Sequence, residues 1–292
     1  MSQGWRSAED ALRQVSIEIA HWRGEESGAL RDELAVEEPL ELRVRATTPG
    51  VAPESLAAIM RTPGQDEELA AGFLFSEGLL RGRSELVALH PGTDADGLPS
   101  PNVLEVEAAP GIDLARRVHE KGYSRAFAVN ASCGVCGKNS VAQVCATLPP
   151  LPPDDVVVAP HTLYALPDRL RAGQRVFAHT GGLHAAGLFD TDGRLLALRE
   201  DIGRHNAVDK LVGRALLDDA LPLRRVVLLV SGRLSFEIVL KALAAGIPIL
   251  AAVSAPSSMA VDLAEATGVT LAAFLRGDTV NVYTHPQRVR PT

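Results

Sequence analysis

Val226-Val-Leu-Leu-Val230, Ile249-Leu-Ala-Ala-Val253 and Val269-Thr-Leu-Ala-Ala-Phe-Leu275 decide the fold of this 292-residue chain. Each is a short, almost unbroken apolar run, the pattern of a strand buried on both faces. A helix fits between the first two, with Ser235 as N-cap and Gly246 as stop. Another fits between the second and third, starting near Ser258 and stopping at Gly268. Strands separated by helices of this length imply parallel pairing through right-handed crossovers. Upstream, Leu183 to Phe189 and Leu195 to Leu198 read as strands joined by the turn Asp190-Thr-Asp-Gly193. Arg204 to Leu217 then reads as a helix, because Val208, Leu211, Val212, Ala215 and Leu216 recur at i, i+3, i+4, i+7 and i+8. The expectation for 156–292 is an α/β sandwich on a mixed sheet, with an antiparallel hairpin first and parallel strands after.

The first half is less regular. Ser16 to Trp22 (through Ile17, Ile19 and His21) and Leu40 to Ala46 alternate like strands. Glu67 to Leu80 reads as a helix with Leu69, Phe73 and Leu80 facing inward. Val103 to Val106 is a short strand and Leu114 to Lys121 a helix. The expected organisation is a polar segment over 1–30, a smaller α+β domain over 31–130, a connecting stretch over 131–155, and the α/β domain over 156–292. The connecting stretch ends in Leu148-Pro-Pro-Leu-Pro-Pro153, which favours extended polyproline II and reads as a semi-rigid linker.

Bulk properties narrow the function. The net charge is −7, so no global basic field points to nucleic acid or an anionic membrane. The N-terminal MSQGWRSAEDALRQ lacks the apolar stretch of a signal peptide. The most apolar segment, Ala242 to Val253, is broken by Gly246 and Pro248 and falls short of the about 20 residues a helix needs to span a bilayer. A soluble, cytoplasmic protein is expected. Three cysteines are too few, and odd in number, for a disulfide framework.

Ligands of open α/β sheets bind beyond the carboxyl ends of the parallel strands. The loops leaving those ends are Ser231-Gly-Arg233, Ser254-Ala-Pro-Ser-Ser258 and Arg276-Gly-Asp-Thr279. Two lead into helix N-termini, whose free N–H groups favour anions, and Arg233 and Arg276 add positive charge. Singly, each is an ordinary capped turn; together they suit a phosphate or pyrophosphate. At about 100° per residue, Asp201, Arg204 and His205 extend the apolar stripe of the 204–217 helix. Asp201 as an N-cap paired with Arg204, and His205 as a satisfied core histidine, is one reading. The other is that they line a site, to which His179 and His184 add imidazoles. The main chemical feature is Cys133-Gly-Val-Cys136, flanked by Gly137 and Lys138. C-x-x-C serves as half a zinc site, a redox dithiol or a sulfur carrier, and the spacing leaves all three open. Cys145 reads as a small buried hydrophobe.

In consistent order over roughly 30–290, SCGVCG (132–137), HTGGLHAAG (179–187), EDIGRHNAVDKL (200–211), SGRLSFE (231–237), GIPIL (246–250), VSAPSS (253–258) and VYTHPQR (282–288), with GFLFSEG (72–78), resemble the FdhD/NarQ family of formate dehydrogenase accessory sulfurtransferases. The resemblance implies that a cysteine desulfurase passes sulfane sulfur to the C-x-x-C loop as a persulfide. From there it reaches the molybdenum cofactor, bis(molybdopterin guanine dinucleotide), for insertion into formate dehydrogenase. It implies Cys133 as the persulfide cysteine and Cys136 as its relay or resolving partner. It also implies Phe274, Leu275, Arg276, Gly277, Asp278 and Thr279 as a cofactor-binding segment, and a homodimer. Ser231, Arg233, His184, Arg204 and His205 are expected to join that segment around the cofactor. The family's C-terminal fold is similar to that of cytidine deaminases, which need a His or Cys with a catalytic Glu and then Pro-Cys-x-x-Cys. This chain has Arg204, His205 and Asp209 at the first position and Ser231-Gly-Arg-Leu-Ser235 at the second. No catalytic zinc and no other metal site is therefore expected. A noncatalytic cofactor chaperone and a zinc-dependent deaminase-like hydrolase are the alternatives.

Overall fold

The computed structural model describes residues 12–45, 52–121, 128–129 and 141–291, and they form three sheets. A ribbon comes first: β1 (Gln14–Arg23) runs antiparallel to β2 (Glu26–Ala35), turning at Gly24 with φ 65°. Next come β3 (Glu38–Val44), β4 (Glu54–Arg61), α1 (Asp66–Ser76), β5 (Leu86–Thr93), β6 (Pro99–Ala108), α2 (Leu114–Glu120) and β7 (Ala128–Val129). Their strands make a sheet in the order β5-β6-β3-β4-β7. Three helices follow, α3 (Val141–Thr147), α4 (Pro160–Gly173) and α5 (Arg175–Thr180). The remainder is β8 (His184–Asp190), β9 (Leu195–Asp201), α6 (Arg204–Leu217), β10 (Val226–Val230), α7 (Phe236–Ala244), β11 (Ile249–Ala252), α8 (Ser258–Thr267), β12 (Thr270–Arg276) and β13 (Thr279–Thr284). These strands form a six-stranded sheet ordered β13-β12-β11-β10-β8-β9.

The α/β expectation holds. β10, β11 and β12 are parallel, and β8 pairs antiparallel with both β9 and β10. All five residues of β10 are buried because both faces are covered. Val226, Leu228 and Val230 pack under α6, α7 and α8, while Val227 and Leu229 face α4 with Leu163, Leu166 and Leu170. The sequence reading did not anticipate β13, although Thr279-Val-Asn-Val-Tyr-Thr284 alternates in burial as a half-covered edge strand does. It also passed over α4, which starts with Pro160 at its first turn, where a missing N–H costs nothing.

Some expected boundaries fall elsewhere. The division at 30/31 lies inside β2, so the ribbon crosses it. The stretch 141–155 lies along the second unit. Val144 is fully buried in the core under α6–α8, the Leu151 amide donates to the Thr267 carbonyl at 2.9 Å, and Arg288 forks onto Asp154 at 3.0 and 2.8 Å. The prolines fit this path because they occupy positions that need no donor of their own.

In the first unit, Leu40, Leu42 and Val44 of β3 and Leu69, Phe73, Leu79 and Leu80 at α1 share one core. The far side of α1 meets α6 of the second unit. Their backbones touch at two glycines. A Cβ on Gly72 would stand 1.8 Å from the Asp209 carbonyl oxygen, and one on Gly213 would stand 1.8 Å from that of Glu68. Helices with side chains at the contact usually sit about 8–10 Å apart, so this crossing needs glycine on both.

Buried charges flank it. Lys210 Nζ lies 2.7 Å from Asp201 and donates to the Thr62 carbonyl at 3.0 Å, with neither ionic side chain exposed. Asp201 also accepts from the Gly203 amide (2.9 Å), Asn206 Nδ2 (2.8 Å) and the Thr62 amide (3.3 Å). Around the helix, Lys241 donates to both Asp209 oxygens at 2.8 Å, and the Ser76 hydroxyl donates to the same carboxylate at 2.9 Å. Burial lowers the Lys210 pKa against the pull of Asp201, and burial raises that of Asp209 against the pull of Lys241 and Ser76.

Gly213→Ala is expected to destabilise the protein at or above the roughly 1–3 kcal/mol typical of an overpacked core, because the new methyl meets backbone that cannot rotate away. Chemical denaturation should show it beside Gly82→Ala, whose Cβ would meet nothing within 4 Å on an extended backbone. Equal midpoint shifts in the two variants would contradict the close crossing.

Candidate functional site

The carboxyl ends of β10, β11 and β12, the start of β8 and the first turn of α6 meet at one edge of the six-stranded sheet. Beyond β10, the Ser231 amide donates to the Ala185 carbonyl, and the Ser231 hydroxyl accepts from the Ala185 amide, both at 2.9 Å. That pair clips the 231–233 loop to β8 and sets His184 beside Gly232. A Cβ on Gly232 would sit 3.4 Å from His184 Nδ1 and 3.6 Å from Arg204 Cδ, so glycine keeps the approach to both side chains open.

Arg204 and His205 are neighbours on α6 and serve different surroundings. Arg204 is half-buried near His184, and its Nε is shielded from water with no hydrogen-bond partner among the described residues. A buried donor left unmatched carries a penalty of about 1–3 kcal/mol, which an acceptor brought by a ligand would relieve. His205 is buried, with Nε2 3.3 Å from the Ser235 hydroxyl and 3.9 Å from Glu237. Ser235 does hold the N-cap position of α7, but its side chain caps no helix amide; the hydroxyl lies at His205 instead. Asp201, read from the sequence as a cap or a site residue, is neither. Gly203 holds the N-cap of α6, and Asp201 is sealed against Lys210 and Thr62.

The 274–279 segment is a hairpin tip joining β12 to β13, with Arg276 opposite Thr279 and Gly277 at φ 55°. Phe274 also has a positive φ, 55°, beside a bulge, and its amide donates to the Ser254 carbonyl at 3.3 Å. This irregularity turns consecutive side chains apart. Leu275 is buried in the core against α4, so only its backbone can serve a ligand, while Arg276 is exposed with its guanidinium 6.0 Å from the Phe274 ring. Gly277, Asp278 and Thr279 are exposed at the tip, as is Arg233 on the β10 loop.

On the α4 side of this edge lies a cleft of about 540 Å³, walled by Asp168, Arg171, Phe177, His184, Ser231 and Val253. The Arg171 guanidinium stacks 4.0 Å over the Phe177 ring. Asp168, Arg171 and Phe177 were missed in the sequence because the helices carrying them were missed. Leu163, Leu166 and Leu170 at three- and four-residue spacing were the available signal. Burial first, and then the Arg204 charge, hold the His184 imidazole below its ordinary pKa against the pull of Asp201. His184 is therefore neutral at neutral pH, offering one donor and one acceptor nitrogen. Cys133 and Cys136 lie outside the described residues. Cys145 is partly buried on α3. Among the described residues no three His, Cys, Asp or Glu side chains cluster to hold a metal ion, and no helix is long and apolar enough to cross a membrane.

Comparison with known proteins agrees with the residue patterns. The family model for the FdhD/NarQ family matches residues 35–290. The chain is 49% identical over 294 residues to the sulfur carrier protein FdhD of Mycobacterium tuberculosis, covering 98% of this chain and 99% of that one. It is 53% identical over 264 residues to the protein of the same name from Streptomyces coelicolor, covering 88% and 89%. A crystal structure described as a formate dehydrogenase accessory protein from Desulfotalea psychrophila shares the fold, with a TM-score of 0.71 at 24% identity over 94% of this chain and 99% of that chain. Motif order, sheet topology and nearly full-length similarity converge: the chain belongs to the FdhD/NarQ family.

Proposed function

We propose that this protein is a cytoplasmic sulfur carrier that takes persulfide sulfur from a cysteine desulfurase. It delivers that sulfur to bis(molybdopterin guanine dinucleotide)-molybdenum bound for formate dehydrogenase, working as a homodimer. The observation that carries the cofactor half of this reading is the Arg204 Nε, orphaned among the described residues and set beside His184 and Gly232 at the sheet edge where the strand-end loops gather. A diphosphate supplies the acceptor that this donor lacks. The hairpin tip at Phe274–Thr279 and the 231–233 loop frame the same edge, with Arg233 and Arg276 adding charge. The sulfur half rests on the C-x-x-C pair and on the relatives' shared name, sulfur carrier protein.

A single transfer balances with the thiol pair as its reductant, and returning the resulting disulfide to thiols for the next transfer takes a dithiol reductant. The Cys133 thiolate attacks the outer sulfur of the donor persulfide, whose S–S bond breaks and leaves the donor thiolate. At delivery, the Cys136 thiolate attacks Cys133 Sγ. The outer sulfur departs as sulfide to the molybdenum, a Cys133–Cys136 disulfide forms, and the two electrons come from the thiol pair. Burial and the Arg204 charge lower the His184 pKa, while phosphates bound beside it would pull the imidazole toward protonation.

Intact mass after incubation with a cysteine desulfurase and cysteine is expected to rise by one sulfur atom, and the gain should vanish in Cys133→Ala. An unchanged gain in that variant would remove Cys133 from its role. For the cofactor edge, Arg204→Gln is expected to weaken binding of guanosine diphosphate about tenfold or more, the scale of one charge-assisted hydrogen bond. In the same variant the His184 titration midpoint, which by NMR should lie below the ordinary 6.5, should move upward. The sign follows from charge, since a positive neighbour disfavours the imidazolium. Unaltered nucleotide affinity together with an unmoved midpoint would place Arg204 outside the site.

A further inference from the structure

We infer that the cleft beside α4 selects the base of the nucleotide: Asp168 accepts from the ring N–H and amino group of guanine, and Arg171 donates to its O6 and N7. The inference rests on the cofactor half of the reading above and on none of its sulfur chemistry. It gives base selection to two side chains of α4, away from the strand-end loops.

The cleft holds about 540 Å³, within the range of small-molecule sites. It opens onto the Arg204 edge. His184 and Ser231 are walls of the cleft, and a Cβ on Gly232 would lie 3.4 Å from His184 Nδ1 and 3.6 Å from Arg204 Cδ. A ligand with its diphosphate at Arg204 therefore has the cleft within reach for its base.

Asp168 and Arg171 are three residues apart on α4, a spacing at which opposite charges on a helix commonly pair. Here they do not. Among the described residues neither side chain makes an ion pair or a hydrogen bond. Arg171 instead lays its guanidinium 4.0 Å over the Phe177 ring, which fixes its plane and leaves its N–H edge unused. Asp168 is exposed, with both oxygens unused. The wall thus carries a donor fork and an acceptor fork about 5 Å apart along the helix axis.

That pairing selects the occupant. The Asp168 carboxylate repels a phosphate, so the group bound at this wall is uncharged and brings donors. Arg171 requires two neighbouring acceptors, which guanine presents as O6 and N7. Asp168 requires two neighbouring donors. Among the common bases guanine alone sets a ring N–H beside an amino group, with O6 and N7 on the adjoining edge. Adenine would turn its amino group toward Arg171 and a bare ring nitrogen toward Asp168. Pyrimidines have no N7.

Calorimetric titration of the full chain with guanosine, inosine and adenosine diphosphates tests this. The wild type is expected to bind the guanine nucleotide about tenfold or more tighter than the inosine one, which lacks only the amino group. The adenine nucleotide should bind more weakly still. In Asp168→Ala, a change at an exposed position, the guanine and inosine nucleotides are expected to bind alike. Arg204→Gln should instead weaken all three by one factor and keep their ratios. A guanine-to-inosine ratio unchanged by Asp168→Ala, or a wild type that binds all three equally, would overturn base selection here and leave the diphosphate site at Arg204 standing. A wild type that binds none of them would overturn both.

Discussion

The contact of α1 with α6 at Gly72 and Gly213 is the constraint on which the rest of the molecule depends. The five-stranded and six-stranded sheets have separate cores, and each unit lends one helix to this crossing. With no side chain between them, the helix backbones meet carbonyl to Cα, and the two units are held at a spacing that larger residues would forbid. Close packing alone would leave α6 able to roll about its axis. The ionic groups remove that freedom. Asp201 and Lys210 bind the backbone amide and carbonyl of Thr62 on one side of the helix, and Asp209 binds Lys241 and Ser76 on another. Buried ion pairs are weak arguments for stability, since desolvation offsets most of the attraction. Their directionality is what matters here, because each bond fixes a rotation that apolar contacts would tolerate.

That fixed rotation sets the site. Arg204 and His205 stand at the first turn of α6, three residues beyond the pinned Asp201. Orienting the helix therefore aims Arg204 at Gly232 and His184, and His205 at the N-terminus of α7. The sheet edge is built in the same spirit. Ser231 uses both its amide and its hydroxyl to clip onto Ala185, which leaves no play between the 231–233 loop and His184. At the other end of the edge, the bulge beside Phe274 sends Leu275 into the core as an anchor and leaves Arg276 outside. Ligand-facing groups thus come from turns, and their positions come from buried neighbours one or two residues away.

Much of this was legible in the sequence wherever local pattern and burial agree. β10, β11 and β12 are buried on both faces, so their composition alone identifies them. α6 announces itself because one stripe of it is apolar. The legible part of the site is the set of loops that topology forces to the strand ends. What stayed hidden depends on tertiary partners. A glycine inside a helix reads only as a local cost, and nothing in residues 66–76 or 204–217 says that Gly72 and Gly213 face each other. Asp201 looks like a cap because its real partners, Lys210 and Thr62, are one of them nine residues on and the other just past β4 in the first unit. The cleft walls Asp168, Arg171 and Phe177 went unread with α4, whose internal Pro167 interrupts the helical signal.

The same joint also references the described chain on either side of residues 130–140, which themselves lie outside the described residues. Before them, β7 pairs with β4 in the first sheet. After them, α3 begins, with Val144 in the core of the second unit. One flank thus belongs to each unit, and both are referenced to the glycine crossing. So are Arg204 and His184, through α6 and the edge it supports. A change in the angle between the units would shift these two flanks, and the sheet edge, relative to each other. Backbone contact and buried charge hold that angle, so the geometry of the edge is a property of the whole fold and not of its loops alone.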